Sequence, residues 1–290
     1  MEQILSFKEA LVYGVEESLG KRIIGMHTLG LGDAVGGLHT DDFIVITARG
    51  GTGKTYLMLQ IAYDLSTKKT PERCAFFSGE MCVEDLASTR LIKLHEGTRT
   101  IKENAVPSEK IERIQQIGDI PMFFPVIEER WPFKSRCIPV MDRLREEFGV
   151  TMFFFDHLKF FMNQDSLDAR ADERLVIEQT VLDMRLYAKK HKTPIFLAVQ
   201  PKQISADEEV TSDSLKGTSA IGQDATVTIV LDKPRLKGKE REEKGQVYAD
   251  FVNLKVEKAR HGKGNLTIRL KLIPDMGRFV EFDSIESTIC

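Results

Sequence analysis

The stretch DDFIVITARGGTGKTYLMLQ, residues 41–60, decides the fold. Phe43 to Thr47 form an apolar and β-branched run without polar alternation, the pattern of a strand buried on both faces. Gly50, Gly51 and Gly53 follow, and from Lys54 onward apolar residues return at helical spacing. Strand, glycine-rich turn and helix in this order let backbone N–H groups wrap a phosphate at a helix N-terminus. The match to Gly-x4-Gly-Lys-[Ser/Thr] runs through Ala48, Arg49, Gly50, Gly51, Thr52, Gly53, Lys54 and Thr55, with alanine at the first glycine position. In this pattern the backbone cradles the phosphates, the lysine reaches the β and γ phosphates, and the hydroxyl binds Mg²⁺. ATP with Mg²⁺ is therefore expected here.

Downstream, strand and helix signals alternate. Residues 74–78 (CAFFS), 122–126 (MFFPV), 150–156 (VTMFFFD), 194–200 (PIFLAVQ) and 225–232 (ATVTIVLD) read as strands. Helices are expected from Val83 to about His95, over EKIERIQQIG (109–118), around 136–147 and over about 172–191, the last with Ile177, Val181, Met184 and Ala188 on one face. The chain then changes character: YADFVNLKVEK, LTIRLKL and RFVEF read as antiparallel β-structure. The fold class is α/β, a P-loop NTPase core with a mostly parallel sheet flanked by helices and antiparallel strands at the C-terminal end. Residues 1–24 form an N-terminal extension in which Ile4, Phe7, Leu11 and Val15 suggest an amphipathic helix, packed on its own domain or docked on a neighbouring subunit. Residues 25–290 form the ATPase domain, opening with a glycine-rich stretch at 29–38 (LGLGDAVGGL) read as loop and tight turns.

Bulk properties exclude several classes. With 290 residues, 42% hydrophobic and 29% charged, the chain can bury a core and is not disordered throughout. A net charge of −3 gives no global attraction to nucleic acid. The N-terminal segment carries Glu2, Lys8, Glu9, Glu16 and Glu17 and is no signal peptide. No run approaches the ~20 apolar residues of a membrane span, so a cytoplasmic protein without a membrane partner is expected. Cys74, Cys82, Cys137 and Cys290 form no CxxC pair and read as free buried thiols, and the histidines form no zinc-binding pattern. Locally the balance shifts: residues 233–271 hold twelve Lys/Arg against five Asp/Glu, although KPRLKGKEREEK within them reads as a solvated hairpin tip.

Two acids suit the phosphate loop. Asp156 closes the apolar run MFFFD, where a strand-end carboxylate holds Mg²⁺ through its water shell; such an aspartate can also cap a turn. Glu80 stands just past CAFFS, at the sheet edge that carries the phosphate loop, where a carboxylate can polarise water or simply favour a helix N-terminus.

Several ordered stretches resemble the DnaB-type replicative helicases. GGLHTDDFIVITARGGTGKT, FFSGEM with DLASTRL, FFFDHLKF, LAVQPK, SLKGTSAIGQDATV and VEKARHGKGNLTIRL follow the family's motif order over about residues 25–283. The resemblance implies a RecA-like motor with Arg49 to Thr55 holding ATP, Thr55 and Asp156 on Mg²⁺, and Glu80 as catalytic base. It implies Gln200 as γ-phosphate sensor at the start of the loop 201–220, with Lys216, Gly217, Thr218 and Ser219 at the places that touch single-stranded DNA. Lys258 and Arg260, spaced as Lys-x-Arg, take the places of cations acting in the neighbour's ATP site. A homo-hexameric ring moving 5′ to 3′ on single-stranded DNA follows, with a primase or helicase loader as further partner and the N-terminal helix bridging adjacent subunits. Gly79 stands where the family has leucine and His157 where it has tyrosine, both expected to be tolerated; Lys216 replaces an arginine and Gly217 a glutamate. About 25 residues precede the motor and no counterpart of the family's N-terminal domain is seen, which implies a minimal, phage-like helicase.

Two other readings fit a P-loop core. A RecA-like recombinase or mediator would form filaments, but SAIGQDA and EKARHGKG argue against it. A clock-type P-loop ATPase scaffold would turn over slowly and ignore DNA.

Overall fold

The computed structural model describes residues 8, 10–12, 23–26, 28–96, 118–163, 173–201, 208–212, 214, 219–236 and 247–282. Their elements run β1 (Ile23–Ile24), α1 (Leu31–Val35), β2 (Leu38–His39), β3 (Phe43–Ala48), α2 (Lys54–Thr67), β4 (Cys74–Ser78), α3 (Val83–Leu86), α4 (Ile92–Glu96), β5 (Met122–Phe123) and α5 (Ile138–Phe148). Then come β6 (Met152–Asp156), α6 (Glu173–His191), β7 (Ile195–Val199), α7 (Ser219–Asp224), β8 (Val227–Asp232), β9 (Val252–Ala259), β10 (Leu266–Ile273) and β11 (Arg278–Glu281). Among the described residues nine strands form one sheet in the order β11-β10-β9-β8-β3-β7-β6-β4-β5. From β8 through β5 all neighbours are parallel, and β8, β9, β10 and β11 pair antiparallel. The expected mixed α/β sheet is thus present, with its antiparallel part at the C-terminal end.

The uninterrupted apolar strands follow from cover on both faces. On one face Ile44, Ile46, Phe76, Phe154 and Phe196 pack with Leu57, Met58, Ile61 and Leu65 of α2. On the other, Phe43, Val45, Phe77, Phe153 and Phe155 pack with Met141 of α5 and Val181, Met184 and Ala188 of α6. Phenylalanines stack across neighbouring strands, Phe154 on Phe196 at 4.5 Å between centroids and Phe77 on Phe155 at 4.6 Å. Each such pair adds about 1 kcal/mol beyond its buried area.

The C-terminal hairpin is tied to the phosphate-loop helix. Gln60 is buried in α2, its Nε2 donates to Phe279 O (3.0 Å), and its Oε1 accepts from Phe279 N (2.7 Å). Gln60→Ala leaves both backbone groups of Phe279 unpaired in a buried setting, so it is expected to destabilise the domain by about 2 kcal/mol in urea melts. An unchanged midpoint would show that the two Gln60–Phe279 bonds contribute nothing to stability.

Some expectations need correction. The strand expected at 122–126 ends at Phe123, because Pro125 has no N–H to extend the ladder. The stretch 29–38, expected as loop and turns, contains α1, closed by Gly36 and Gly37 at positive φ. The helix expected from Val83 is interrupted by a π-helical turn at Ala87–Leu91 before α4, and another π turn, Phe133–Cys137, leads into α5. Cys74 and Cys137 are buried, but Cys82 is exposed on the turn before α3. The helix expected at 109–118 lies outside the described residues except for Gly118, which is not helical, and Cys290 and most of the N-terminal helix also lie outside them; Lys8, Ala10, Leu11 and Val12 are helical. No helix among the described residues is long and apolar enough to cross a membrane.

Candidate ATP site

Parallel strands bring their C-terminal ends to one edge, and β3 lies between β8 and β7 while its chain crosses to β4. A crevice at such a crossover is where open α/β sheets bind ligands. The phosphate loop leaves β3 there, Asp156 ends β6, Glu80 follows β4, and Gln200 follows β7.

The loop's shape is set by glycine. Gly51 and Gly53 have φ of 72° and 107°, which side chains rarely adopt. At Gly53 a Cβ would also lie 2.7 Å from Cζ of Phe279, whereas Gly50 and Gly51 face open space. The loop is therefore braced beneath by the C-terminal hairpin and open above, as phosphate oxygens require. Lys54 opens α2, and its Nζ donates to Ala48 O (2.8 Å) and Arg49 O (3.4 Å) within the loop. Burial lowers the Lys54 pKa, while Asp156 and Glu80 act to raise it.

Thr55 Oγ1 donates to Asp156 Oδ2 at 2.5 Å, joining α2 to the end of β6. Asp156 is 1% exposed, and its Oδ1 is buried without a hydrogen-bond partner. Burial raises its pKa, opposed by the Thr55 hydroxyl and His157. A buried carboxylate oxygen left unpaired is costly; a hydrated divalent cation beside Thr55 would satisfy it. The open glycine cradle, the helix N-terminus and this oxygen together fit a magnesium nucleotide.

Glu80 is half exposed, and its Oε2 lies 3.2 Å from His157 Nδ1. Ligating atoms of Glu80, Asp156 and His157 lie within 4.8 Å of one another. In the sequence alone His157 stands only as a tolerated replacement. Its place beside the strand-end aspartate was the available signal, since β4 and β6 pair with Ser78 opposite Asp156. Gly79 also has a reason: a Cβ there would lie 2.4 Å from Phe160 Cβ, so no leucine fits.

The remaining candidates lie farther along the edge. Gln200 is exposed just past β7. Lys216, Gly217 and Thr218 lie outside the described residues, and Ser219 opens α7. The base of that loop is anchored: the Arg49 guanidinium donates to Glu208 O, Val210 N donates to Asp232 Oδ1 (3.3 Å), and Ser212 N donates to Glu257 Oε2 (2.6 Å). Lys258 lies in β9 after a bulge that places it opposite Thr228, and its Nζ donates to Gly222 O (2.9 Å) and Gln223 O (3.0 Å) at the end of α7. Arg260 is exposed just past β9, its backbone N donating to Thr226 O (3.0 Å).

The DnaB-like helicase C terminal domain model matches residues 25–281. The chain belongs to this family. Within the DnaB-like family, it is 24% identical over 259 residues to the replicative DNA helicase DnaC of Bacillus subtilis, covering 85% of this chain and 54% of that protein. It is 23% identical over 261 residues to the replicative DNA helicase DnaB of Geobacillus stearothermophilus, again covering 85% of this chain and 54% of that protein. The chain thus spans about half the length of these relatives. Among solved structures, a DnaB-like replicative helicase, described with its interactions with primase, superposes with a TM-score of 0.69 at 20% identity, covering 96% of this chain and 67% of that one. A second structure, itself an ATPase domain, superposes with a TM-score of 0.71 at 19% identity, covering 97% of this chain and 100% of that one. At these identities the structures bear on fold alone, and the fold is RecA-like.

Proposed function

We propose that this chain is the ATP-hydrolysing motor of a replicative DNA helicase, moving on single-stranded DNA and unwinding duplex. The observation that carries the reading is that the family match over residues 25–281 encloses one assembled cleft, with Thr55 bonded to Asp156 and Lys54 and Glu80 beside them. ATP with Mg²⁺ supplies the scissile phosphoanhydride and the compensating positive charge. Backbone N–H groups from Arg49 to Gly53 and the Lys54 ammonium hold the phosphates, Thr55 and Asp156 hold the cation, and Glu80 takes the proton of the attacking water. Lys54→Ala is expected to abolish tight ATP binding, read by titration with a fluorescent nucleotide; parent affinity would remove Lys54 from the site.

Gln200 would report the γ-phosphate to the loop that begins beside it, and Lys216, Gly217, Thr218 and Ser219 would touch DNA phosphates. Such contacts carry little sequence information. The protein would work in the cytoplasm as a homo-hexameric ring, with Lys258 and Arg260 acting in the neighbour's site and a primase or loader docking on the assembly. Movement would run 5′ to 3′. Single-stranded DNA is expected to raise the ATPase rate several-fold, and forked duplex to be unwound. A rate indifferent to DNA would favour the scaffold reading, and strand exchange without unwinding the recombinase reading.

A further inference from the structure

The acid assigned as base sits on a turn, not in a helix or strand. Glu80 follows β4 by two residues, and its side chain is 52% exposed. A free glutamate there would lose up to about 2 kcal/mol of rotamer entropy on being fixed, and an unfixed one would seldom meet the reacting water. His157 supplies the fixing contact, with Nδ1 3.2 Å from Glu80 Oε2. A carboxylate only accepts, so Nδ1 carries the hydrogen and donates.

The ring itself is held firmly. His157 is 6% exposed and lies edge-on to Phe160, 5.0 Å between centroids at 81°. Phe160 fills the space against Gly79, whose N–H donates to Asp156 O at 2.8 Å. The turn bearing Glu80 and the strand end bearing Asp156 are thus joined by a backbone bond and by this ring.

We propose that His157 is a positioning residue for hydrolysis: its Nδ1–H holds one Glu80 oxygen so that the other faces the attacking water. This rests on the reading of Glu80 as base.

The test compares His157→Asn, whose amide nitrogen falls near Nδ1, with His157→Gln, whose amide falls near Nε2, and with His157→Ala. Steady-state ATPase and fluorescent-nucleotide affinity are measured for each, alone and combined with Glu80→Gln. Ala and Gln are expected to lower kcat about 10- to 100-fold with KM and nucleotide affinity unchanged, the scale of a misplaced catalytic group. Asn should stay within about 3-fold of the parent. In the Glu80→Gln background none of the three should slow the enzyme further, because coupled residues are non-additive. If Asn is as slow as Ala, or Ala slows Glu80→Gln equally, the positioning role is wrong. If Glu80→Gln is slow and His157→Ala turns over normally, only this proposal falls. If Glu80→Gln itself turns over at the parent rate, the base assignment fails and this proposal with it.

Discussion

Glu80→Gln is expected to bind ATP as tightly as the parent and to turn it over at least about 100-fold more slowly. The substitution is nearly isosteric, and the new side-chain oxygen can still accept from His157 Nδ1, 3.2 Å away in the parent. Lys54, Thr55 and Asp156 keep their contacts, so the proposed phosphate cradle and cation site are left as they are. What is lost is a group able to take a proton from water. Asp156 cannot take over, because one oxygen already accepts from Thr55 and the other is buried. Fluorescent-nucleotide titration and phosphate release, measured on the same preparation, separate binding from chemistry. Parent-like turnover would move the base elsewhere.

The parts of the fold that sequence disclosed best were those dictated by burial. CAFFS and MFFFD are strands because each residue meets a packed layer on one side of the sheet or the other. Such runs declare themselves without any knowledge of their partners. That Asp156 and Glu80 fall at the sheet edge of the phosphate loop was legible for a related reason: parallel strands all present their C-terminal ends to one edge, so an acid at or just past the end of an apolar run falls there. Contacts between elements distant in sequence were not legible. Phe160 fills the space at Gly79, and Phe279 fills the space beneath Gly53, across 226 positions of chain. The role of His157 depends on how β4 and β6 align, which no local pattern encodes. The Lys-x-Arg spacing sets Lys258 beside Arg260 and gives no hint that the Lys258 ammonium closes the end of α7. A bulge between Thr228 and Ile229 in the pairing of β8 with β9 shifts the register there, and alternation along a strand cannot foresee a bulge.

That placement bears on how a ring would communicate. α7 begins at Ser219, the last of the residues proposed to touch DNA, and its last turn receives Lys258. Arg260 and Arg185 both lower the Lys258 pKa, after burial, while Asp224 raises it, so these charges lie close together at one corner. Earlier in the same stretch, Glu208 O accepts from the Arg49 guanidinium of the phosphate loop. Described residues on either side of the proposed DNA segment are therefore bonded to residues proposed to meet nucleotide, one in this subunit's site and one in its neighbour's.

Arg260→Ala is the variant expected to test assembly most directly. The residue is exposed beyond β9 rather than part of the Lys54, Thr55, Asp156 and Glu80 cluster, so its loss should leave nucleotide binding by the isolated chain unchanged. In a ring, a guanidinium delivered from the next subunit stabilises charge on the transferred phosphoryl group, and removing such a residue costs about 10³-fold or more in turnover. Lys258, bonded to α7 carbonyls in the isolated chain, carries a point ammonium that does not reproduce the planar guanidinium and should not compensate for its loss. Mixing Arg260→Ala with Glu80→Gln protein then distinguishes action within a subunit from action across an interface. Each variant alone lacks a required group at every site. In random mixed rings roughly a quarter of the head-to-tail interfaces combine an intact Glu80 with an intact Arg260, and phosphate release should recover in proportion. If Arg260 served its own subunit, no mixture would regain activity, and a parent-like rate from Arg260→Ala alone would remove the arginine from the chemistry altogether.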